Sequence, residues 1–311
     1  MSRSAPLRLR FGLQSVLERS LAGYLHPQGG PTMDFSRPVG EPALADPESV
    51  CWQVFRNPVS LYVGGVAAVI LELAEPRVAA GVWNHTSFRT DPLRRLQRTG
   101  LAAMVTVYGA RSVAGGMIAG IVRAHDAVRG RTADGEAYHA NDPELLTWVQ
   151  ATAAFGFLEA FAALVAPVSA EDRDRYYAEG VPAGRLYGVP APPASEAALR
   201  ACLAAMQPRL APSPILHEFL SIMRARPILP LPARPLQPTL VRAAVAILPA
   251  WARDRLGLGR AWQPRRAELA LLRSAARTAQ RLVIETSPAA QACRRLGLPA
   301  DHLQRRWADR N

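Results

Sequence analysis

From about residue 47 onward, apolar positions recur at helical spacing, and short polar or Pro/Gly-rich breaks divide them into segments. An almost unbroken apolar run from about Asn57 to Leu71 contains Gly64 and Gly65 and stops at Glu72, which predicts a buried core helix. It falls short of the roughly 18 uncharged apolar residues of a membrane span. EPRVAAGVWNHTSF reads as a short helix leaving through a turn. At Thr90-Asp91-Pro92 a helix start is signalled, because Asp accepts backbone N–H bonds at the N-cap and Pro is tolerated at the first helical position. Leu93, Leu96, Gly100, Ala103, Met104 and Val107 then keep one face apolar.

The next segment, RSVAGGMIAGIVRAHDAVRG, puts Val113, Met117, Ile121, His125 and Val128 on one stripe, so His125 lies on an apolar face. Gly115, Gly116 and Gly120 would each weaken an isolated helix by about 1 kcal/mol, which predicts close approach of another helix or a flat ligand. After the turn RGRTADGE, the segment DPELLTWVQATAAFGFLEAFAALV is a long core helix, with Asp142 as its cap and Trp148 in the core. Tyr138, just upstream, reads as structural. A charged helix at SAEDRDRYYAEG and two Pro-rich stretches follow. Amphipathic helices at TLVRAAVAILPAWARDRLGLG and RRAELALLRSAARTAQRLV then lead to a basic tail. No strand alternation longer than a few residues and no internal repeat is found. The pattern predicts an all-α, single multi-helix domain: an N-terminal arm and lead-in loop over 1–45, a helical domain over 46–265, and basic C-terminal helices over 266–311 that pack on or extend it.

Composition narrows the function. With 311 residues, 49% of them hydrophobic, the chain can bury a large core. Every one of its 37 basic residues is arginine, which excludes a Walker lysine, a Schiff-base lysine and any lysine ligand. The formal charge of +12 invites a phosphate partner, yet the arginines are scattered, with only a modest concentration at Arg253, Arg255, Arg260, Arg265 and Arg266. No base-reading motif accompanies them, so nucleic acid is not expected. The start of the chain lacks an apolar stretch of roughly 7–15 residues with a small-residue cleavage site, so cytoplasmic residence is expected. Peripheral contact of the amphipathic C-terminal helices with an anionic membrane is the secondary expectation. Cys51, Cys202 and Cys293 match no metal or disulfide spacing and read as reduced packing thiols.

The candidate chemistry lies between Asp91 and Trp148. Arg95 and Thr99 are one helical turn apart at the border of the apolar face, with Arg98 in the next row. All three can turn toward an internal cavity instead of solvent. His125 faces inward on the next helix, while His85 and His139 lie in turn-like sequence and are the rival ligands. The bland reading keeps His125 as a satisfied core histidine and the arginines as surface charges.

At DPLRRLQRT, HDAVRG, the run from Tyr138 through Asp142 to Trp148, and PVSAEDRDRYYAEG, the chain resembles the family of MpaB-type enzymes and rubber oxygenase (latex clearing protein). The likeness covers about Cys51 to Val189, more weakly LPAWARDRLGLG. It implies an all-α, globin-like core around haem b, with dioxygen as co-substrate. The implied chemistry is oxidative C=C cleavage or oxygenation of an apolar, isoprenoid or lipid-like small molecule. It further implies His125 as the proximal iron ligand, Arg95, Arg98 and Thr99 as the polar catalytic cluster, and Arg123 and Arg129 as further cofactor-binding residues. Three departures stand out. Arg98 replaces a lysine able to coordinate iron, and a guanidinium stays protonated. Between Leu73 and Phe88 only Glu75 is acidic, which leaves no clear counterpart for the family's catalytic carboxylate. Gln150 stands where many relatives carry histidine. The missing carboxylate and Gln150 favour the alternative of a non-catalytic, haem-free binding or scaffold member of the same fold. A non-haem metal site ranks third, because the six histidines are dispersed. The sequence leaves the oligomeric state open.

Overall fold

A computed structural model of the protein describes residues 6–8 and 33–310. The basic start of the expected N-terminal arm therefore lies outside the described residues, apart from Leu7, which pairs with the 281–283 backbone. Residues 33–49 form the lead-in loop.

The helices begin where the sequence provides caps. Asn57-Pro58 opens α2 (Pro58–Glu72), following the short α1 (Val50–Val54), and Asn57 Oδ1 accepts from the amides of Val59 and Ser60. Glu75-Pro76 opens α3 (Pro76–His85), Asp91-Pro92 opens α4 (Pro92–Tyr108), and Asp142-Pro143 opens α6 (Pro143–Leu164). In each, a side-chain oxygen takes otherwise unpaired amides and Pro occupies a position whose N–H has no helical partner. Between α4 and α6 come α5 (Arg111–His125) and an antiparallel hairpin of β1 (Arg129–Arg131) and β2 (Ala137–His139), paired Arg129 with His139 and Arg131 with Ala137. The sequence reading took this hairpin for a bare turn, because three-residue strands are too short to show alternation. Gly135, at φ +84°, supplies the left-handed residue its turn needs. The remaining helices are α7 (Ala170–Leu186), α8 (Glu196–Met206), α9 (Pro214–Ala225), α10 (Gln237–Ala246), α11 (Ala250–Arg255), α12 (Arg266–Arg281), α13 (Pro288–Arg295) and α14 (His302–Arg310). The all-α expectation holds.

α2 and α6 form the central pair, and α10 and α12 also pack on α2. Their backbones meet at Gly64 and Gly156: a Cβ on Gly64 would sit 2.7 Å from Gly156 O and 2.8 Å from Phe157 Cα. The sequence reading expected another helix or a flat ligand to approach Gly115, Gly116 and Gly120, and the helix–helix approach is found at Gly64 and Gly156 instead. Gly115 and Gly116 have nothing within 4 Å of a notional Cβ, and Gly120 has only an arginine tip at 3.8 Å. α6 is the one helix among the described residues long and apolar enough to cross a membrane, and it places Trp148, Ala151, Thr152, Leu158 and Phe161 in the core. The three cysteines are free, with Cys51 and Cys293 buried.

Candidate active site

α2, α4, α5 and α6 contribute to the wall of a predominantly apolar cavity of about 1420 Å³, larger than the roughly 300–1,000 Å³ typical of small-molecule pockets. The two stripes read from the sequence face it. Leu96, Gly100, Ala103, Met104 and Val107 of α4 line the wall, as do Ile121, His125 and Val128 at the end of α5. The fully buried residues of α5 are Ala114 and Ile118 instead. The predicted stripe is half-covered: Val113 and Met117 pack against the core, and only its far end, Ile121, His125 and Val128, borders the cavity.

Arg95, Arg98, Thr99 and His125 all line this cavity. Arg95 donates from Nη1 to Thr99 Oγ1, one turn on, and Thr99 Oγ1 donates to Arg95 O at 2.9 Å. Arg98 and Thr99 are exposed, so the wall reaches the surface beside them. Arg123 and Arg129 do not line it. Arg123 is two residues from His125, hence on the opposite face of α5, and is exposed. Arg129 is an exposed residue of β1 whose Nε donates to Asp126 O at 3.0 Å. The structure therefore gives these two arginines no contact with the site.

Burial holds the His125 imidazole below its ordinary pKa; Asn141 and Asp126 oppose this, while Arg95 and His139 reinforce it. His125 is thus neutral at neutral pH, the form that can ligate a metal. Its Nδ1 is buried without a hydrogen-bond partner, and so is Asn141 Oδ1 close by. Asn141 is held by its other end, with Nδ2 donating to Val122 O at 2.9 Å and to Asp126 Oδ1 at 2.7 Å. Of the rival histidines, His85 lines the cavity and shares a hydrogen bond of 3.1 Å with Tyr138 Oη. His139 is half-buried on β2 with an unpartnered Nε2, not solvent-exposed as its turn-like sequence suggested.

The sequence reading missed a carboxylate. Glu72, the last residue of α2, lines the cavity and lies within electrostatic reach of Arg95. Burial raises its pKa to about 7, against the opposing pull of Arg95 and a long contact of 3.5 Å from Thr152 Oγ1. Burial also draws the Arg95 guanidinium below its ordinary range, with Glu72 opposing and Arg98 adding to the shift. Glu75, the acid that the sequence singled out, caps α3 and is fully buried against Arg77 and Arg209. The available signal for Glu72 was an acid closing an apolar run. Gln150 also faces the cavity. Among the described residues no three His, Cys, Asp or Glu side chains gather as a metal-binding group. A two-His carboxylate centre has no such cluster to rest on, whereas a haem needs a single imidazole and a large apolar chamber, and both are present.

Comparison with curated proteins and with solved structures returned no match. Residues 52–281 match the family described as ER-bound oxygenase mpaB/B'/Rubber oxygenase, catalytic domain. This span includes the helices that carry Glu72, Arg95, Arg98, Thr99 and His125, so the chain belongs to the mpaB/rubber oxygenase family and carries its oxygenase-like catalytic domain.

Proposed function

We propose that the protein is a haem b-dependent oxygenase that uses dioxygen on an apolar, isoprenoid or lipid-like small molecule, by oxidative C=C cleavage or oxygenation. The observation that carries this reading is the convergence of a neutral, cavity-facing imidazole, a polar cluster and a shifted carboxyl on one apolar chamber. Bound at His125, the haem would supply dioxygen activation. An Nδ1–H of His125 donated to the unpartnered Asn141 Oδ1 would fix the ring and leave Nε2 to coordinate. Arg95, locked to Thr99, presents donors toward the chamber, and Arg98 adds positive charge at its mouth. Glu72, with a pKa of about 7, is suited to take or return a proton at its carboxyl oxygen near neutral pH. The apolar wall excludes water from the substrate.

The alternative of a haem-free binding protein draws on Gln150 and on the absence of a carboxylate counterpart between Leu73 and Phe88; Glu72, one residue before that stretch, gives the cavity a carboxyl group. The test is the absorption spectrum of protein expressed in haem-replete cells, before and after dithionite, alongside His125→Ala. A Soret band in the wild type that is lost or strongly weakened in the variant is expected. A colourless wild type with low iron would overturn the reading.

A further inference from the structure

One side chain in the cavity wall takes no part in that chemistry. Arg56, in the turn between α1 and α2, lines the cavity, and its Nε, Nη1 and Nη2 are all buried without a hydrogen-bond partner. The titratable groups acting on it are the Tyr108 phenol and the Cys293 thiol. Burial pushes the phenol well above its ordinary pKa and the thiol up to about 12, so neither supplies an anion at neutral pH. Tyr108 Oη is in any case committed, donating to Trp52 O at 2.8 Å. The guanidinium, lowered to about 10 by burial, remains charged at neutral pH. A buried cation without a counter-charge is unfavourable by itself and favours an anion brought in by a ligand.

Two helices give the distance from this cation to the polar cluster. Arg56 precedes α2, whose 15 residues end at Glu72, a length of about 22 Å at 1.5 Å per residue. α4 runs the other way, with Arg95 beside Glu72 and Tyr108 beside Arg56, which gives about 20 Å by the same rise. Between the two ends the wall is mostly apolar, with Val59, Val66 and Val69 on α2 and Ala103, Met104 and Val107 on α4, interrupted by the hydroxyls of Tyr62 and Thr106. A single planar guanidinium matches a carboxylate in two parallel hydrogen bonds, whereas a diphosphate would call for further cations, and none among the described residues acts on Arg56.

We infer that Arg56 anchors the carboxylate of a long-chain unsaturated acid whose hydrocarbon chain fills the cavity and runs toward Glu72, Arg95 and His125, so that a double bond in the far half of the chain lies nearest them. The inference rests on the cavity being the substrate chamber and deepens that reading by naming the substrate class. Arg56 holds the head-group and lies a helix length away from the reacting atoms.

The test is calorimetric titration of the full purified chain, at monomeric ligand concentrations and pH 8, with oleate, oleyl alcohol and oleyl phosphate. Oleate is expected to bind at least tenfold more tightly than the alcohol. Arg56→Gln is expected to erase that difference and leave alcohol binding unchanged. Arg56→Met is expected to melt no lower than the wild type, since it removes an uncompensated buried charge, and to lose the rise in Tm that oleate gives the wild type. Equal binding of oleate and alcohol by the wild type, or a preference that survives Arg56→Gln, would overturn the assignment. Tighter binding of oleyl phosphate than of oleate would overturn the choice of carboxylate. Binding does not depend on turnover, and a Soret spectrum of the same samples keeps the two readings apart. An intact Soret band without head-group discrimination sinks the Arg56 assignment alone, and discrimination in colourless protein sinks the haem reading alone.

Discussion

Glu72 and Glu75 stand three residues apart at the corner between α2 and α3; Glu75 is fully buried in protein, and Glu72 is half-buried on the cavity wall. Glu75 is saturated: it accepts from Arg77 Nε at 2.7 Å, Val78 N at 2.9 Å and Arg209 Nε at 3.3 Å. Arg77 passes the connection on to Glu144 at 2.6 Å, which ties the start of α3 to the start of α6. Glu72 has one long contact, and Arg95 is within reach but not bonded to it. A buried charge with complete partners holds structure together, whereas one left incomplete on a cavity wall retains a proton equilibrium near neutrality. Sequence distance does not separate the two cases; the partners do.

The largest effect that would break this contrast is on Glu75. Glu75→Ala leaves Arg77 buried with one partner removed and is expected to cost about 3–5 kcal/mol in denaturant unfolding; a loss near zero would remove its structural role. Next is the pH dependence of Glu72. Its folded pKa, about 7, lies above the ordinary 4.5, so between those values the native state binds more protons than the unfolded chain. Stability should therefore fall as pH rises through that window, by at most about 3 kcal/mol at 1.36 kcal/mol per unit. Glu72→Gln should flatten that slope, and an unchanged slope would place its origin elsewhere. Smaller effects come from two kinds of glycine. Gly64→Ala pushes a methyl group into the α6 backbone and should cost about 1–3 kcal/mol. Gly116→Ala, in open space on α5, should gain up to about 1 kcal/mol. Thermal melts of the two variants should move in opposite directions.

Much of this architecture was legible in the sequence because helix starts are written locally. Asn57-Pro58, Asp91-Pro92 and Asp142-Pro143 each announce a cap within two residues. Two apolar stripes correctly marked the faces of α4 and α5 that look inward, and they brought Arg95, Arg98, Thr99 and His125 to one chamber. What periodicity does not report is whether an inward face meets protein or empty volume. For that reason the α5 glycines suggested a helix contact, beside the alternative of a flat ligand, and the helix contact belongs to Gly64 and Gly156. Glu72 escaped notice because its significance depends on which cations fail to reach it. Arg123 shows the reverse limit: two residues from His125, it lies on the opposite, exposed face of the same helix.

Arg295 lies beyond the segment that matches the family, yet it is almost fully buried and donates to the carbonyls of Glu41, Phe35 and Tyr108, each at 2.8 Å. It thereby clasps the lead-in loop and the last residue of α4 from a helix that belongs to neither. A fragment trimmed to residues 52–281 would lose this clasp together with the loop it holds, leaving the Tyr108 carbonyl, at one end of the cavity, without its buried donor. The cooperative unit of this protein is therefore wider than its recognisable catalytic core, and its outermost helices act as fasteners for the chamber at the centre.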